Sequence, residues 1–338
     1  MCGFFGVYSK KGNIPFSSKK LNESLNLIKH RGPDETKIWN NKSFWVGFHR
    51  LSINDISNGQ QPFISQNNIS VINGEILNYI ELKEKYNITC KTNSDCEVLF
   101  PLINKKKLDS WKIIHGFFAG ASYNIKKNEL LLCRDLFGKK PLFYAEYKNC
   151  IIFSSEPKCI WMLDQNYFSP NINSISCFLS SGYVVGENSA FNNIKEINSA
   201  TYSVFKKDTI QNYTYSNQLI NNIANARSNN IISFKTYKNN SLKIKIKKAL
   251  TNSVKHRLVS DAKMGMYLSS GIDSSLILAM AKQIGLKNNF KAYTIVFDDN
   301  TFNEGDTAFE VSNYLGVKHE KVLFSHNDFI DELNSSTK

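Results

Sequence analysis

Short apolar runs separated by polar turns fill the first 215 residues, after which the rhythm changes. The run CGFFGVY over 2–8 is continuously apolar and predicts a buried strand that holds residue 2 at the rim of a sheet. Further strand patterns fall at 44–48, 69–72, 117–123, 129–133, 142–147, 151–154 and 201–205, and helical spacing at 21–29, 77–85 and 95–102. Strands dominate, with helices between groups of them, which is an α+β arrangement. Residues 216–240 are rich in Asn, Ser and Lys without periodicity and predict a linker. Beyond it Leu242, Ile246, Leu250, Val254 and Leu258 recur every four residues, the mark of an amphipathic helix. A strand at 264–268, a helix at 274–284, a strand at 292–297, a helix at 304–315 and a strand at 320–324 then alternate, which predicts a parallel sheet with right-handed crossovers.

Composition narrows the class. At 338 residues the chain has room for two domains, and 42% hydrophobic residues is ordinary for a globular protein. No apolar run reaches the roughly 18–20 residues of a membrane span, and the N-terminus has no charged region followed by an apolar one, so the expectation is a cytoplasmic protein without a membrane partner. The net charge of +13 raises the question of a nucleic-acid partner. The lysines are scattered and no nucleic-acid-binding motif accompanies them, so none is expected. Seven cysteines, irregularly spaced and without a C-x-x-C pair, suggest neither a disulfide framework nor a zinc site.

Chemistry enters at Cys2. Removal of Met1 would leave a cysteine carrying both a thiol, with a pKa near ~8.5, and an α-amine, at about 7.7–8.0, that can take the thiol proton. Four segments accompany it: His30-Arg31-Gly32-Pro33-Asp34, Arg50-Leu51-Ser52-Ile53-Asn54, Asn73-Gly74-Glu75-Ile76 and Ser94-Asp95-Cys96-Glu97. Singly each has a plain structural reading, since Gly-Pro and Asn-Gly are turn pairs and Ser before acidic residues caps helices. Together they supply what binding a free amino acid and attacking its side-chain amide require: a cation for the carboxylate in Arg50, an anion for the ammonium in Asp95, and donors for a tetrahedral oxyanion at Asn73 and Gly74.

These motifs, with RDLFGKKPLFY over 134–144 and SSEPK over 154–158, resemble the class II, N-terminal-nucleophile glutamine amidotransferases, and among them the glutamine-hydrolysing asparagine synthetases. The resemblance implies an αββα N-terminal-nucleophile sandwich over 2–215, with a linker over 216–240 and the first part of an adenine-nucleotide-hydrolase-like α/β domain over 241–338. Carried over motif by motif, it makes Cys2 the nucleophile and Asn73 and Gly74 the oxyanion hole. Arg50, Leu51, Ser52, Ile53, Asn54, Asn73, Gly74, Glu75 and Asp95 become the glutamine site. The 134–144 segment and Glu156 read as framework that faces the second domain.

The second domain carries Leu268-Ser269-Ser270-Gly271-Ile272-Asp273-Ser274 between an expected strand and helix, a turn whose backbone N–H groups and helix end suit phosphate oxygens. The lysine-bearing P-loop pattern is absent. The segment resembles the S-G-G-x-D-S loop of ATP pyrophosphatases, with Ser270 in place of the first glycine. By that resemblance Ser269, Gly271, Asp273 and Ser274 hold the phosphates, Ser270 belongs to the same ATP site, Asp273 stands near a magnesium ion, and Leu268 and Val296 flank the adenine. The implied activity hydrolyses glutamine, adenylates aspartate with ATP and Mg2+, and joins ammonia to it, in an enzyme that the resemblance makes a homodimer. A stand-alone glutaminase, or an amidotransferase acting on another carboxylate, remain alternatives. Members of that family continue well past the equivalent of Lys338, so a truncated or partial sequence is expected, with about three strands of the second sheet and its apolar faces partly uncovered.

Overall fold

The computed structural model describes residues 1–215, 240–286, 290–298 and 303–336. The chain divides into two compact units, Met1–Ile231 and Ile232–Lys338. The linker expected over 216–240 lies outside the described residues except for Asn240, which already opens a helix.

The first unit holds two six-stranded sheets. In chain order its elements are β1 Gly3–Ser9, α1 Ser18–Asn26, β2 Glu35–Asn40, β3 Phe44–Arg50, β4 Phe63–Ile64, β5 Asn68–Ile76, α2 Tyr79–Tyr86, α3 Leu99–Lys106, β6 Gly116–Asn124, β7 Glu129–Arg134, β8 Phe143–Tyr147, β9 Cys150–Ser154, α4 Lys158–Trp161, α5 Ile172–Ser181, β10 Lys195–Glu196, β11 Thr201–Phe205 and β12 Ile210–Thr214. One sheet runs β10-β8-β9-β1-β3-β2 and the other β12-β11-β7-β6-β5-β4, and every strand pair in both is antiparallel.

Alternation along β1 explains the layering. Phe4 and Tyr8 face inward, where they meet Phe44, Val71, Tyr123 and Leu132 between the sheets. Phe5 and Val7 point the other way, into a second core with Leu21 and Leu25 of α1 and Ile160 of α4. On the far side Ile72, Phe118 and Tyr202 pack against Leu82 of α2 and Leu99, Phe100 and Leu102 of α3. The result is the αββα sandwich expected, and β1 reads as continuously apolar because helices and a second sheet cover both of its faces.

The strands without a sequence signal are those at edges. β2 and β12 are both mostly exposed, and β4 and β10 are two-residue edge strands. Two helices fall earlier or later than expected: α1 ends at Asn26, with a separate 3-10 turn at Lys29–Arg31, and 95–102 divides into a 3-10 turn at Cys96–Val98 and α3.

The second unit contains α6 Asn240–Arg257, β13 Gly265–Tyr267, α7 Ile272–Ile284, β14 Lys291–Phe297, α8 Gly305–Tyr314, β15 Lys318–Phe324 and α9 His326–Ser336. Its strands form a parallel sheet in the order β13-β14-β15, as the alternating pattern predicts. Leu268, Leu278, Phe290, Ala292, Ala308 and Val317 make one small core. Tyr267, Ile295 and Val322 on the other side of the strands are exposed, as the expectation of uncovered apolar faces had it. Helix α6 forms over the four-residue repeat, yet none of its residues is buried. No helix among the described residues is long and apolar enough to cross a membrane.

Candidate active site

Strand β1 brings Cys2 to the end of the first sheet, where β1 pairs with β3 from Gly3 opposite His49. The chain leaving β3 passes directly over the thiol: Leu51 N–H lies 3.4 Å from Sγ, and Sγ lies 3.6 Å from the Leu51 carbonyl. Burial pushes the Cys2 thiol up; the Leu51 N–H, the nearby N-terminal amine, Arg50 and Lys140 act against that rise. The same burial holds the N-terminal ammonium of Met1 below its usual range. The Met1 amine is therefore biased toward its neutral form, while the Cys2 thiol beside it keeps its proton.

The Cys2 carbonyl is fixed from two sides. Arg31 Nε donates to it at 3.0 Å. The Asn73 amide, turned so that both its ends are satisfied, donates from Nδ2 to the same oxygen at 3.0 Å and accepts at Oδ1 from Arg31 Nη2 at 3.3 Å. Gly3 permits this approach, because a Cβ there would sit 3.0 Å from Arg31 Cδ. Gly32 is needed for the same reason: a Cβ would lie 2.3 Å from the His49 carbonyl oxygen of β3.

Gly74 supplies a backbone donor through the arithmetic of the ladder. Phe118 stands opposite it on β6, but Phe118 N–H goes to Asp135 Oδ2 and its carbonyl accepts the Asp135 N–H. The pairing groups of Phe118 thus face away from β5, and those of Gly74 face away from β6. Along that outer edge of β5 the Gln61 amide satisfies both Ile72 N–H and the Ile72 carbonyl, Asp95 Oδ2 takes Ile76 N–H, and the Gly74 carbonyl accepts from Cys96 Sγ at 3.2 Å. Gly74 N–H lies on this edge, at the cavity. Its φ of +150° and a Phe117 carbonyl 2.1 Å from any added Cβ require glycine.

A cavity of about 130 Å3, open to solvent, joins these groups. Cys2, Arg50, Leu51, Ile53, Asn54, Asn73, Gly74, Glu75 and Asp95 line it, all of them expected from the sequence. Ser52 does not: its N–H binds Asp34 Oδ2 at 2.7 Å on the exposed side of the loop. Arg50 is buried, and its guanidinium also organises that loop, with Nη2 donating to the Asn54 and Asp55 carbonyls and Nη1 to that of Ile56. Asp95 is buried too; its partners are the Ile76 N–H, the Asn54 amide and the Cys96 thiol, all neutral. Burial raises its carboxyl above the usual range in spite of those hydrogen bonds.

Gln61, Cys96 and Lys140 also line the cavity and had not been assigned to it. Lys140 is carried in by the 134–144 framework: Asp135 accepts the N–H groups of Phe137, Lys139 and Lys140, while Arg134 holds the Gly138, Lys140 and Ile197 carbonyls. Burial pulls the Lys140 ammonium down and Glu75 acts against it. Its membership in the RDLFGKKPLFY run was the signal available. Glu156, expected as framework, pairs with Arg31 at 2.9 Å, His30 at 3.0 Å and Lys158 at 3.1 Å.

In the second unit the serine and glycine turn lies at the C-terminal end of β13 and runs into α7, the position where open α/β sheets bind ligands. Ser269 Oγ and Ser274 Oγ lie 2.9 Å apart, Gly271 N–H donates to Ser269 Oγ, and Ser270 N–H donates to Glu304 Oε2 at 3.2 Å. Ser270 is not among the residues with positive φ, so a serine fits where the resembling loops have glycine. Asp273 is exposed in the first turn of α7, Val296 is half-buried near the end of β14, and Leu268 is core. No cluster of three or more metal-ligating side chains occurs among the described residues.

A family model described as glutamine amidotransferase domain matches residues 1–216, and one described as asparagine synthase matches 245–337. The asparagine synthetase [glutamine-hydrolyzing] 1 of Bacillus subtilis (strain 168) is 30% identical over 98% of this chain and 52% of its own length. A putative asparagine synthetase [glutamine-hydrolyzing] 2 of Methanocaldococcus jannaschii is 30% identical over 97% of this chain and 66% of its own, and the second Bacillus subtilis synthetase 33% identical over 96% and 44%. The chain spans about half the length of the relatives it matches. With the first model covering well over half of its residues, the chain belongs to the glutamine amidotransferase domain family.

Proposed function

We propose that the first unit hydrolyses glutamine and that the second contributes the pyrophosphate loop of an asparagine synthetase. The observation that carries this reading is the cavity in which the Cys2 thiol, the Gly74 N–H and the buried Asp95 carboxylate meet. Once Met1 is removed, the α-amine of Cys2 takes the thiol proton and Sγ attacks the side-chain amide carbon of glutamine. Gly74 N–H and the second Nδ2 hydrogen of Asn73 receive the oxyanion. Ammonia leaves with that proton, and water releases glutamate from the thioester. Asp95, which has only neutral partners here, is the countercharge for the substrate ammonium, and Arg50 the cation for its carboxylate.

ATP and aspartate would form an acyl-adenylate and pyrophosphate, and the ammonia would displace AMP to give asparagine. The relatives' names support this acceptor. Ser269, Ser270, Gly271 and Ser274 offer hydroxyl and backbone donors to phosphates. Magnesium fits the remaining donors, because it binds through one or two carboxylates plus phosphate oxygens, and Asp273 and Glu304 stand at the loop. In that role it would neutralise phosphate charge.

Mass spectrometry of the purified N-terminus, combined with assays of glutamate and pyrophosphate, tests the whole reading. Expected are loss of Met1 and glutamate release in its absence. Glutaminase activity in protein that quantitatively retains Met1 overturns the mechanism. Glutamate release without ATP-dependent pyrophosphate identifies a stand-alone glutaminase.

A further inference from the structure

We infer that Glu156 is a positioning residue for the nucleophile: it aims Arg31, and through Arg31 the Cys2 carbonyl and the Asn73 amide. The inference rests on the glutaminase reading of the site and adds a residue to it that touches neither thiol nor cavity.

The end of β9 is bound to the start of β1. Ser155 N–H donates to the Phe4 carbonyl at 2.9 Å, Ser155 Oγ accepts Phe4 N–H at 3.1 Å, and Ser154 Oγ donates to the Phe4 carbonyl at 3.2 Å. Glu156 follows at once, so its carboxylate is fixed relative to the strand that begins with Cys2. Oε1 accepts from Arg31 Nη1 at 2.9 Å. The other two nitrogens of the same guanidinium, Nε and Nη2, then donate to Cys2 O and Asn73 Oδ1.

A guanidinium is a rigid plane, so holding one corner sets the direction of the other two. Without Glu156, Arg31 would be free to tilt, and the carbonyl of the residue bearing both thiol and amine would lose one of its two hydrogen bonds. The oxyanion amide would lose its orienting donor at the same time.

Three basic side chains touch this carboxylate, and exposure decides which matters. The side chain of Arg31 is 8% exposed, against 57% for His30 and 42% for Lys158. Exposed pairs of the latter kind contribute roughly 0–1 kcal/mol at most. Burial works to raise the Glu156 carboxyl, and the hydrogen bonds from Arg31 and Lys158 overcome it and hold the group below its usual range. Glu156 therefore meets Arg31 as a carboxylate at neutral pH.

Steady-state kinetics of glutamine hydrolysis on the full chain provide the test, with thermal midpoint and thiol titration as folding controls. Glu156→Ala is expected to lower kcat by up to about 100-fold, the loss that follows a misplacement near ~1 Å, while KM for glutamine stays within about threefold. Glu156→Gln, which can still accept from Nη1, should recover most of that loss, and Lys158→Ala should match the parent. If Glu156→Ala does not fold, Glu156→Asp carries the test: it keeps the charge, withdraws the carboxylate by one methylene, and should lose kcat in the same way. An unchanged kcat, a KM that rises as kcat falls, or a Glu156→Gln as slow as Glu156→Ala overturns the inference. A parent that releases no glutamate would instead sink the glutaminase reading, and the positioning role with it.

Discussion

The two units meet the problem of holding polar groups in opposite ways. In the first, Asn73, Asp95, Arg31 and Arg50 are buried between or beside closed layers, and each has its hydrogen bonds to protein. In the second, the serine and glycine loop stands at the exposed end of a three-stranded sheet, and its hydroxyls bond chiefly to one another and to loop carbonyls. Burial in the first unit makes the site's geometry inseparable from the fold. Exposure in the second leaves a loop whose conformation comes from local bonds, so that its residues can be changed at little cost to the rest.

That contrast can be broken most directly at Cys2. Cys2→Ala is expected to lower glutamate release by on the order of 10⁴-fold or more, since loss of a nucleophile disables the whole catalytic group, while ATP binding to the second unit is unchanged. Asn73→Ala should follow, with a loss of about 10²–10³ in kcat as one oxyanion donor disappears and the Cys2 carbonyl loses a partner.

Gly74→Ala tests the link between site and fold. The positive φ and the overlap with the Phe117 carbonyl should cost about 1–3 kcal/mol and lower the thermal midpoint along with activity. A variant with parental stability would mean that the strand end is not held as described.

Asp95 gives a pH test with a definite sign. Its folded-state carboxyl lies above the unfolded value, so between those two values the folded protein binds more protons than the unfolded chain. This group's contribution to stability therefore rises as pH falls from neutral through the raised value, and it stops rising at the unfolded value. The parent should show that contribution in its thermal midpoint relative to Asp95→Asn, and KM for glutamine should climb over the same interval as the countercharge is lost. The smallest effect is expected at Asp273: Asp273→Ala should leave glutaminase activity intact and stability within about 0.5 kcal/mol, as for other exposed side chains, while weakening ATP binding. An equal loss of glutamine hydrolysis in Cys2→Ala and Asp273→Ala would dissolve the distinction between the units.

Legibility in the sequence followed burial. Strands with both faces covered, such as β1, β3, β5 and β9, stand out as apolar runs, whereas β2 and β12 carry polar edge sequences that resemble loops. Helix α5 escaped notice because its large apolar side chains Ile172, Phe178 and Leu179 are exposed, so they follow no core-facing spacing. Eight of the nine residues expected around glutamine do line the cavity. Ser52 departs because the chain turns it toward Asp34.

Periodicity was enough to give the strand-rich first unit and the parallel sheet of the second, because it reports which face is buried; the αββα layers, the candidate nucleophile and the candidate phosphate loop came with the family resemblance that the motifs carry. The sequence contains no measure of distance between 31, 73 and 156, or between 61 and 72. Long-range pairing of β1 with β9 and of β5 with β6 sets those distances, and so packing assigned Arg31 to the Cys2 carbonyl, Gln61 to the edge of β5, Lys140 to the cavity and Glu156 to Arg31. Directional hydrogen bonds between residues far apart in the chain exist only once the sheets have closed on each other.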